Sequence, residues 1–364
     1  MTRSTFLAGS RRAAILSTAA LTVLAQAGGR AATACDSSSC VLVTRGLSTL
    51  RKGGFAADFS FRYADESRRL SGSDSIDLVT RPRIDFDRGE LLPAFHQESK
   101  GWVSTLQADV AYGVTARLSA VVSVPVLTRK AVEHVHLPPP PPEPGSPQAD
   151  DPHGHGPAGP GAPGDPVVRD YRARGIGDAF VGFRYVVLSD GAQQVNAGLA
   201  VKVPTGESEL PNANDGGIFD PTLQPGSGSV DLIVSGLYAR GRGPLQWTAA
   251  ASHQLTRAND LGYRFGDETI LGMSLTRTLR AVYSRSMVAA SVQVKGHLRG
   301  HSVYAGEPVP STGGRMLILS PGLSLKTPGG TRFYAFLQLP VYRYVEGTQL
   351  ATRSSLLAGV SRTF

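Results

Sequence analysis

The chain has 364 residues, 42 glycines, a formal charge of +8 and a mean hydropathy of −0.08. No apolar run beyond the N-terminus reaches the roughly 20 residues of a spanning helix. That excludes a helical membrane protein but not a β-barrel, whose alternating strands average to neutral hydropathy. The basic residues are scattered, so no nucleic-acid partner is expected.

The N-terminus reads as an export signal. Arg3, Arg11 and Arg12 form a basic start, and Ala13 to Leu24 is apolar. Ala25-Gln26-Ala27 or Ala32-Thr33-Ala34 supplies a small-x-small cleavage site. Residues 1–34 are therefore set aside as a signal peptide, and 35–53 as a short periplasmic segment. Cys35 and Cys40 follow directly. In an oxidising compartment a local disulfide is expected. A lipid anchor on Cys35 would need a lipobox where Arg30 and two glycines stand. A haem site would need a histidine where Val41 stands.

From residue 54 onward, period-two alternation recurs. Phe55, Ala57, Phe59, Phe61 and Tyr63 alternate with Ala56, Asp58, Ser60 and Arg62. Twelve such segments are predicted, at 54–63, 102–112, 115–127, 176–188, 194–203, 229–239, 245–254, 267–278, 282–294, 316–326, 331–342 and 351–364. Most have the ~9–11 residues a tilted strand needs to cross a bilayer. Every second link is short and turn-like, such as Ser189-Asp190-Gly191 or Thr327-Pro328-Gly329-Gly330. The links between them are mostly long. Short–long alternation with an even strand count and a terminal Phe364 predicts an all-β chain: one antiparallel transmembrane barrel of about twelve strands, residues 54–364. Phe55, Tyr112, Tyr185, Tyr238, Trp247, Phe333 and Phe364 collect at the periplasmic end of the apolar parity, as an interfacial girdle should.

The opposite parity is expected to line the lumen. Its charged members are Asp58, Arg62, Asp109, Asp178, Arg184, Lys202, Asp231, Glu268 and Lys295. With both signs present, a polar and weakly selective interior is predicted, narrow because twelve strands fall between filled and open barrels.

Two features invite chemistry. A proline- and glycine-rich stretch, at about 130–174, reads as an extracellular loop that cannot pack a core. Its His134, His136, His153 and His155 are candidate ligands for a divalent metal, though nothing in the sequence fixes their geometry. Ser252 and His253 tempt a surface-hydrolase reading, but neighbours on a strand point to opposite faces. No enzyme activity and no cofactor is expected.

Several segments together resemble a known family. They are Gly175-Ile-Gly-Asp-Ala-Phe-Val-Gly-Phe-Arg-Tyr185, Lys202-Val-Pro-Thr-Gly206, Gln224-Pro-Gly-Ser-Gly-Ser-Val-Asp231, Leu319-Ser-Pro-Gly-Leu323, Gln338-Leu-Pro-Val-Tyr-Arg-Tyr-Val-Glu-Gly-Thr-Gln-Leu350 and Gly359-Val-Ser-Arg-Thr-Phe364. Over about residues 100–364 the chain resembles the outer-membrane protein family named for the MetA pathway of phenol degradation. The resemblance implies a transporter-like barrel in a Gram-negative outer membrane and supplies no catalytic residues. One departure is Arg362, where the family has an aromatic. The expected function is passage of small molecules, aromatic compounds among them, by passive diffusion. The alternative is a non-conducting barrel whose His-rich loop captures metal or a partner. Outer-membrane lipid, the barrel assembly machinery and a small-molecule solute are the expected partners.

Overall fold

The computed structural model describes residues 50–86, 88–135, 167–211, 217–279 and 286–364. Twelve antiparallel strands form the wall. They are β1 (Phe55–Glu66), β2 (Glu90–Gly113), β3 (Leu118–Val135), β4 (Ala179–Ser189), β5 (Gln193–Val203) and β6 (Asp231–Arg242), then β7 (Leu245–Leu255), β8 (Glu268–Leu279), β9 (Met287–Arg299), β10 (Gly314–Lys326), β11 (Arg332–Ala351) and β12 (Ser354–Thr363). Each pairs with its sequence neighbours, and β1 pairs with β12 from Ala56↔Thr363 to Asp65↔Ser354. The sheet therefore closes without an edge, the condition for spanning lipid, where every backbone group must be satisfied internally.

Alternation decides which side chains face out. On β1, Phe59 and Phe61 are exposed while Asp58 and Ser60 are buried. On β5, Leu199 and Val201 are exposed while Ala200 and Lys202 are buried. Phe183, Leu271, Met273, Leu323 and Leu337 continue the apolar outer skin. Such a skin is a liability in water and the requirement in a bilayer. Around the periplasmic end, Phe55 and Phe364 meet with ring centroids 5.7 Å apart, and Tyr238 and Trp247 at 4.9 Å.

The outer ends depart from expectation. β2, β3 and β11 run well past the predicted limits. Their extensions mix polar and apolar residues without the regular alternation of the wall, while the backbone ladder continues. The Val79–Asp85 strand pairs with the extended part of β2, and the Val167–Ile176 strand with that of β3. The loop expected at about 130–174 accordingly loses its two arms to strands. His136, His153 and His155 lie outside the described residues, as do Cys35 and Cys40. His134 stands near the end of β3, opposite Gln97. The predicted 343–350 link is also strand, paired with Arg68–Gly72, and only Thr352 and Arg353 separate β11 from β12.

The remaining outer loops build a cap with its own apolar core. Ile84, Tyr263, Tyr304 and Val309 are buried together, with Phe86, Leu91 and Phe265 packed on them. Phe86 meets the edge of Tyr304 at 5.5 Å. Burial, then the nearby charge of Asp220, pushes the Tyr263 phenol up to about 12.

Candidate functional site: a charged cavity at the outer end of the barrel

All nine predicted lumen residues lie on the inward parity. Asp58, Asp109, Asp178, Arg184, Lys202, Asp231 and Lys295 are buried, and Arg62 and Glu268 are half-buried. They do not form one mixed surface. Arg62, Asp178, Lys202, Glu268 and Lys295 line a cavity of about 540 Å³ toward the outer end. Asp58, Asp109, Arg184 and Asp231 do not reach it. Asp58 accepts from the Tyr334 hydroxyl at 2.8 Å, and Asp109 accepts from Gln107 Nε2 at 2.8 Å. Tyr334 can lie over β12 because residue 359 is glycine, where an added Cβ would come within 2.5 Å of the phenol ring.

The interior is not uniformly polar, contrary to the sequence expectation. Ala56, Ala111, Val121, Phe180, Ala200, Ile233, Leu237 and Ala239 form an apolar patch across the inner wall of β1 to β6. Leu50, from the segment before β1, is buried against it. Binary pattern missed this because Ile233 and Leu237 share a parity with Asp231, so the strand is apolar on both faces.

Three of the sequence motifs meet at one place. Lys202 Nζ lies 2.5 Å from Asp231 Oδ2 and 3.5 Å from Asp178 Oδ2. It also donates to Ser227 Oγ, and more weakly to Ser229 Oγ at 3.4 Å. Asp178 accepts from Gly206 N at 3.2 Å and from Ser227 N at 2.9 Å. Asp231 accepts from Ser229 Oγ, Gln254 Nε2 and Arg257 N at 2.8–3.0 Å. The backbones of Gly206 and Gly226 touch, and a Cβ on either would come within 2.7 Å of the other's Cα. The network ties both ends of the 204–230 connection to the wall. Its middle then folds into the mouth as a short 3-10 turn, Pro221–Leu223, capped by Asp220, which accepts from Thr222 N at 2.8 Å.

Two arginines grip that turn. Arg129 Nη1 donates to the Thr222 carbonyl at 2.6 Å, and Arg81 Nη2 to Thr222 Oγ1 at 3.3 Å. Arg81 also pairs with Glu98 at 3.4 Å. Burial would lower the Arg81 pKa, but the Glu98 carboxylate together with Asp220 and Tyr263 outweighs it and holds Arg81 above its ordinary value. On the rim, Glu268 lies 3.1 Å from Arg299 and 3.4 Å from His297 Nδ1.

Sequence reasoning missed Glu66, Arg81, Glu98, Arg129, His297 and Arg299. Four of these had a signal. Glu66, Arg129, His297 and Arg299 continue the inward parity of β1, β3 and β9 beyond the bilayer-length limits. Glu98 did not, because a register shift between Glu98 and Lys100 reverses the parity there. Ser252 is buried and inward. His253 is partly buried, paired opposite Thr269, with Nδ1 2.8 Å from Thr269 Oγ1.

The closed wall, apolar skin and aromatic girdle define the class: this is a transmembrane β-barrel of the bacterial outer membrane. No family model matches the sequence, and no curated protein matches it. Solved barrels do align. An outer membrane channel from Pseudomonas putida F1 superposes with a TM-score of 0.49 at 11% identity, covering 86% of this chain and 97% of that one. The β domain of the Bordetella autotransporter BrkA gives 0.44 at 10%, covering 86% and 100%. A mutant of the monoaromatic hydrocarbon channel TodX gives 0.40 at 11%, covering 93% and 97%.

Proposed function

We propose that the protein is an outer-membrane channel for small molecules, aromatic compounds among them, of the family named for the MetA pathway of phenol degradation. The observation that carries this reading is the cavity of about 540 Å³ at the outer end of the barrel, lined by charged and apolar groups. A pocket of that size suits one small solute rather than a polymer. The meeting of the Gly175–Asp178, Lys202–Gly206 and Gln224–Asp231 segments around Lys202 supports the family assignment, since these are three of the segments that carry the resemblance. On this reading solute enters from outside, rests in the cavity and leaves by diffusion toward the periplasm. The wall would be inserted by the barrel assembly machinery and sealed by outer-membrane lipid.

Reconstitution into planar bilayers, with a panel of ions, sugars and aromatic acids, tests the reading. Discrete conductance steps, with aromatic acids permeant, are expected. One observation favours the non-conducting alternative: Leu50 packs inside the wall and narrows the path. Absence of any conductance from correctly folded protein, with and without residues 35–50, would replace the channel reading by that one.

A further inference from the structure

Charges scattered evenly along the strands are not scattered evenly in space. Lys202 is absorbed by Asp178 and Asp231. Arg81 pairs with Glu98, and Arg299 with Glu268. Arg62 and Arg129 also line the cavity and make no ion pair with any described residue. Glu66, the remaining carboxylate there, is close enough to act on Arg129, but so are Arg62, Arg81 and Arg299. Four guanidinium groups therefore converge on one region of the mouth; Glu98 and Glu268 answer Arg81 and Arg299, so the cationic surplus is that of Arg62 and Arg129, with Glu66 as the one carboxylate left to offset it. Gathering like charges is unfavourable unless an anion shares the space.

The hydrogen bonding points the same way. Arg129 spends its Nη1 on a neutral carbonyl, Thr222 O, and its Nε has no partner among the described residues. Arg81 Nε, Thr105 Oγ1, His297 Nε2 and Gln338 Nε2 also lack partners and belong to residues of the same cavity. Donors predominate in this set; the atoms themselves have almost no accessible surface, so they record a surplus of donors around the cavity, which an acceptor-rich solute complements. Phe180, Ile318 and Leu357 supply an apolar side to the cavity. A guanidinium fork binds a carboxylate with two parallel hydrogen bonds, more strongly than it binds a single amide oxygen.

We propose that the outer cavity is a recognition site for a small organic carboxylate, centred on Arg129 with Arg81, Arg62 and Arg299 around it. The carboxylate replaces Thr222 O on Arg129, and the organic body lies toward the apolar side. Losing its hold on Arg129, the Pro221–Leu223 turn is released from the mouth, so the solute loosens the obstruction it meets. This deepens the channel reading and rests on it for the direction of travel.

The test uses the full mature barrel in detergent, with benzoate as probe, titrated by calorimetry. Benzyl alcohol and inorganic phosphate are the comparison ligands. Saturable one-to-one binding of benzoate is expected, at least about tenfold tighter than either comparison. R129Q is expected to weaken it about tenfold or more, and R129K by less, since lysine keeps the charge and loses the fork. R117Q, in a periplasmic turn, is expected to bind as the parent does. Heat-modifiable mobility confirms that each variant is folded, and R81Q serves if R129Q is not. Equal binding of benzoate and benzyl alcohol overturns the proposal, as does unchanged binding in both R129Q and R81Q. Equal binding of phosphate and benzoate also overturns it, by removing the organic component. Conductance is measured in parallel. A barrel that conducts without binding benzoate refutes the site alone, and one that binds without conducting refutes the channel alone.

Discussion

Lys202 on β5 and Asp231 on β6 are register partners across the ladder, and their charged atoms lie 2.5 Å apart on the inner wall. Asp178 on the other side of Lys202 makes a triad of one cation and two carboxylates, all nearly inaccessible to solvent. Such a cluster is worth little against an apolar replacement of the whole set, but removing one member strands the others. The strongest effect should come from the cation, which serves both acids.

Replacing Lys202 with methionine keeps the length and removes the charge. Two carboxylates would then share a buried site with only hydroxyls and amides to stabilise them. A loss of about 3–5 kcal/mol is expected, read as a lower urea midpoint in detergent or lipid. The Asp178→Asn variant should lose less, because Asp231 still holds the lysine. An unchanged midpoint for Lys202→Met would show that the network does not hold the barrel together.

The contact between Gly206 and Gly226 makes a separate claim about the same connection. Valine at residue 226 would place its Cβ within 2.7 Å of Gly206 Cα. The two backbones must part, which costs about 1–3 kcal/mol by the usual penalty for overpacking. Since the clash lies in a loop, the turn at Pro221–Leu223 should shift while the wall survives. Limited proteolysis of whole cells should then cut within 204–230 faster in Gly226→Val than in the parent. Equal cleavage rates would mean the close approach is not needed to seat the turn.

The wall was legible in the sequence because lipid enforces it. Every lipid-facing position must be apolar, so Phe59, Phe61, Leu199 and Val201 betray their strands without any knowledge of partners. The mouth was not legible, because past the bilayer the constraint lapses. Arg129 sits where the outward parity of β3 turns polar, between Thr128 and Lys130, and Arg299 stands just past Leu298, the last apolar outward position of β9. Arg81 reaches the cavity from a loop strand, and Glu98 through a register shift, neither of which leaves a periodic trace. Single residues such as Lys202 and Asp231 are visible in the sequence as inward-parity positions, and the structure buries both. That they neutralise one another, and that Arg129 meets the turn at Thr222, follows only from contacts between distant segments.

Turn chemistry at the periplasmic side predicts a pH effect. Hydrogen bonds from the Gln193 backbone and side chain and from Ala192 N hold the Asp190 carboxyl below its ordinary range. A folded-state value below the unfolded one adds stability that is present above the unfolded pKa of about 4 and lost as pH falls through the folded value. Asp190→Ala should therefore unfold at lower urea than the parent at pH 7, and the gap should narrow at pH 3. A gap that is the same at both pH values would assign the effect to turn conformation rather than to charge.

The register of β5 can be tested from the lipid side. Leu199 is exposed and pairs with Phe183 and Val234, both also outward. Lysine at 199, near the middle of the strand, should cost about 2–4 kcal/mol. Lysine at 201, closer to the outer end, should cost less, because the side chain can snorkel to the headgroups. Unfolding of the two variants in lipid vesicles gives the comparison. If position 201 proves the more sensitive, the depth assigned to β5 is wrong.

The seam between first and last strands carries the final prediction. Phe364 N donates to Phe55 O at 2.8 Å, the two rings touch, and the Arg362 guanidinium lies 5.0 Å above the Phe364 ring. Arg362 thus stacks on the terminal aromatic. A planar guanidinium can cover an aromatic face and keep its charge at the headgroup level. Phe364 is then the one aromatic of the last strand, and removing it deletes both a seam hydrogen bond and the ring that Phe55 and Arg362 share. Deleting Phe364 should reduce heat-modifiable protein in the outer-membrane fraction several-fold. Deleting residues 138–163, which lie outside every predicted strand, should leave it close to the parent level. The Arg362→Phe variant should assemble at least as well as the parent, since a ring there can pack on Phe364 as the guanidinium does. Equal loss from the two deletions would mean that the terminal ring has no special part in closing the barrel.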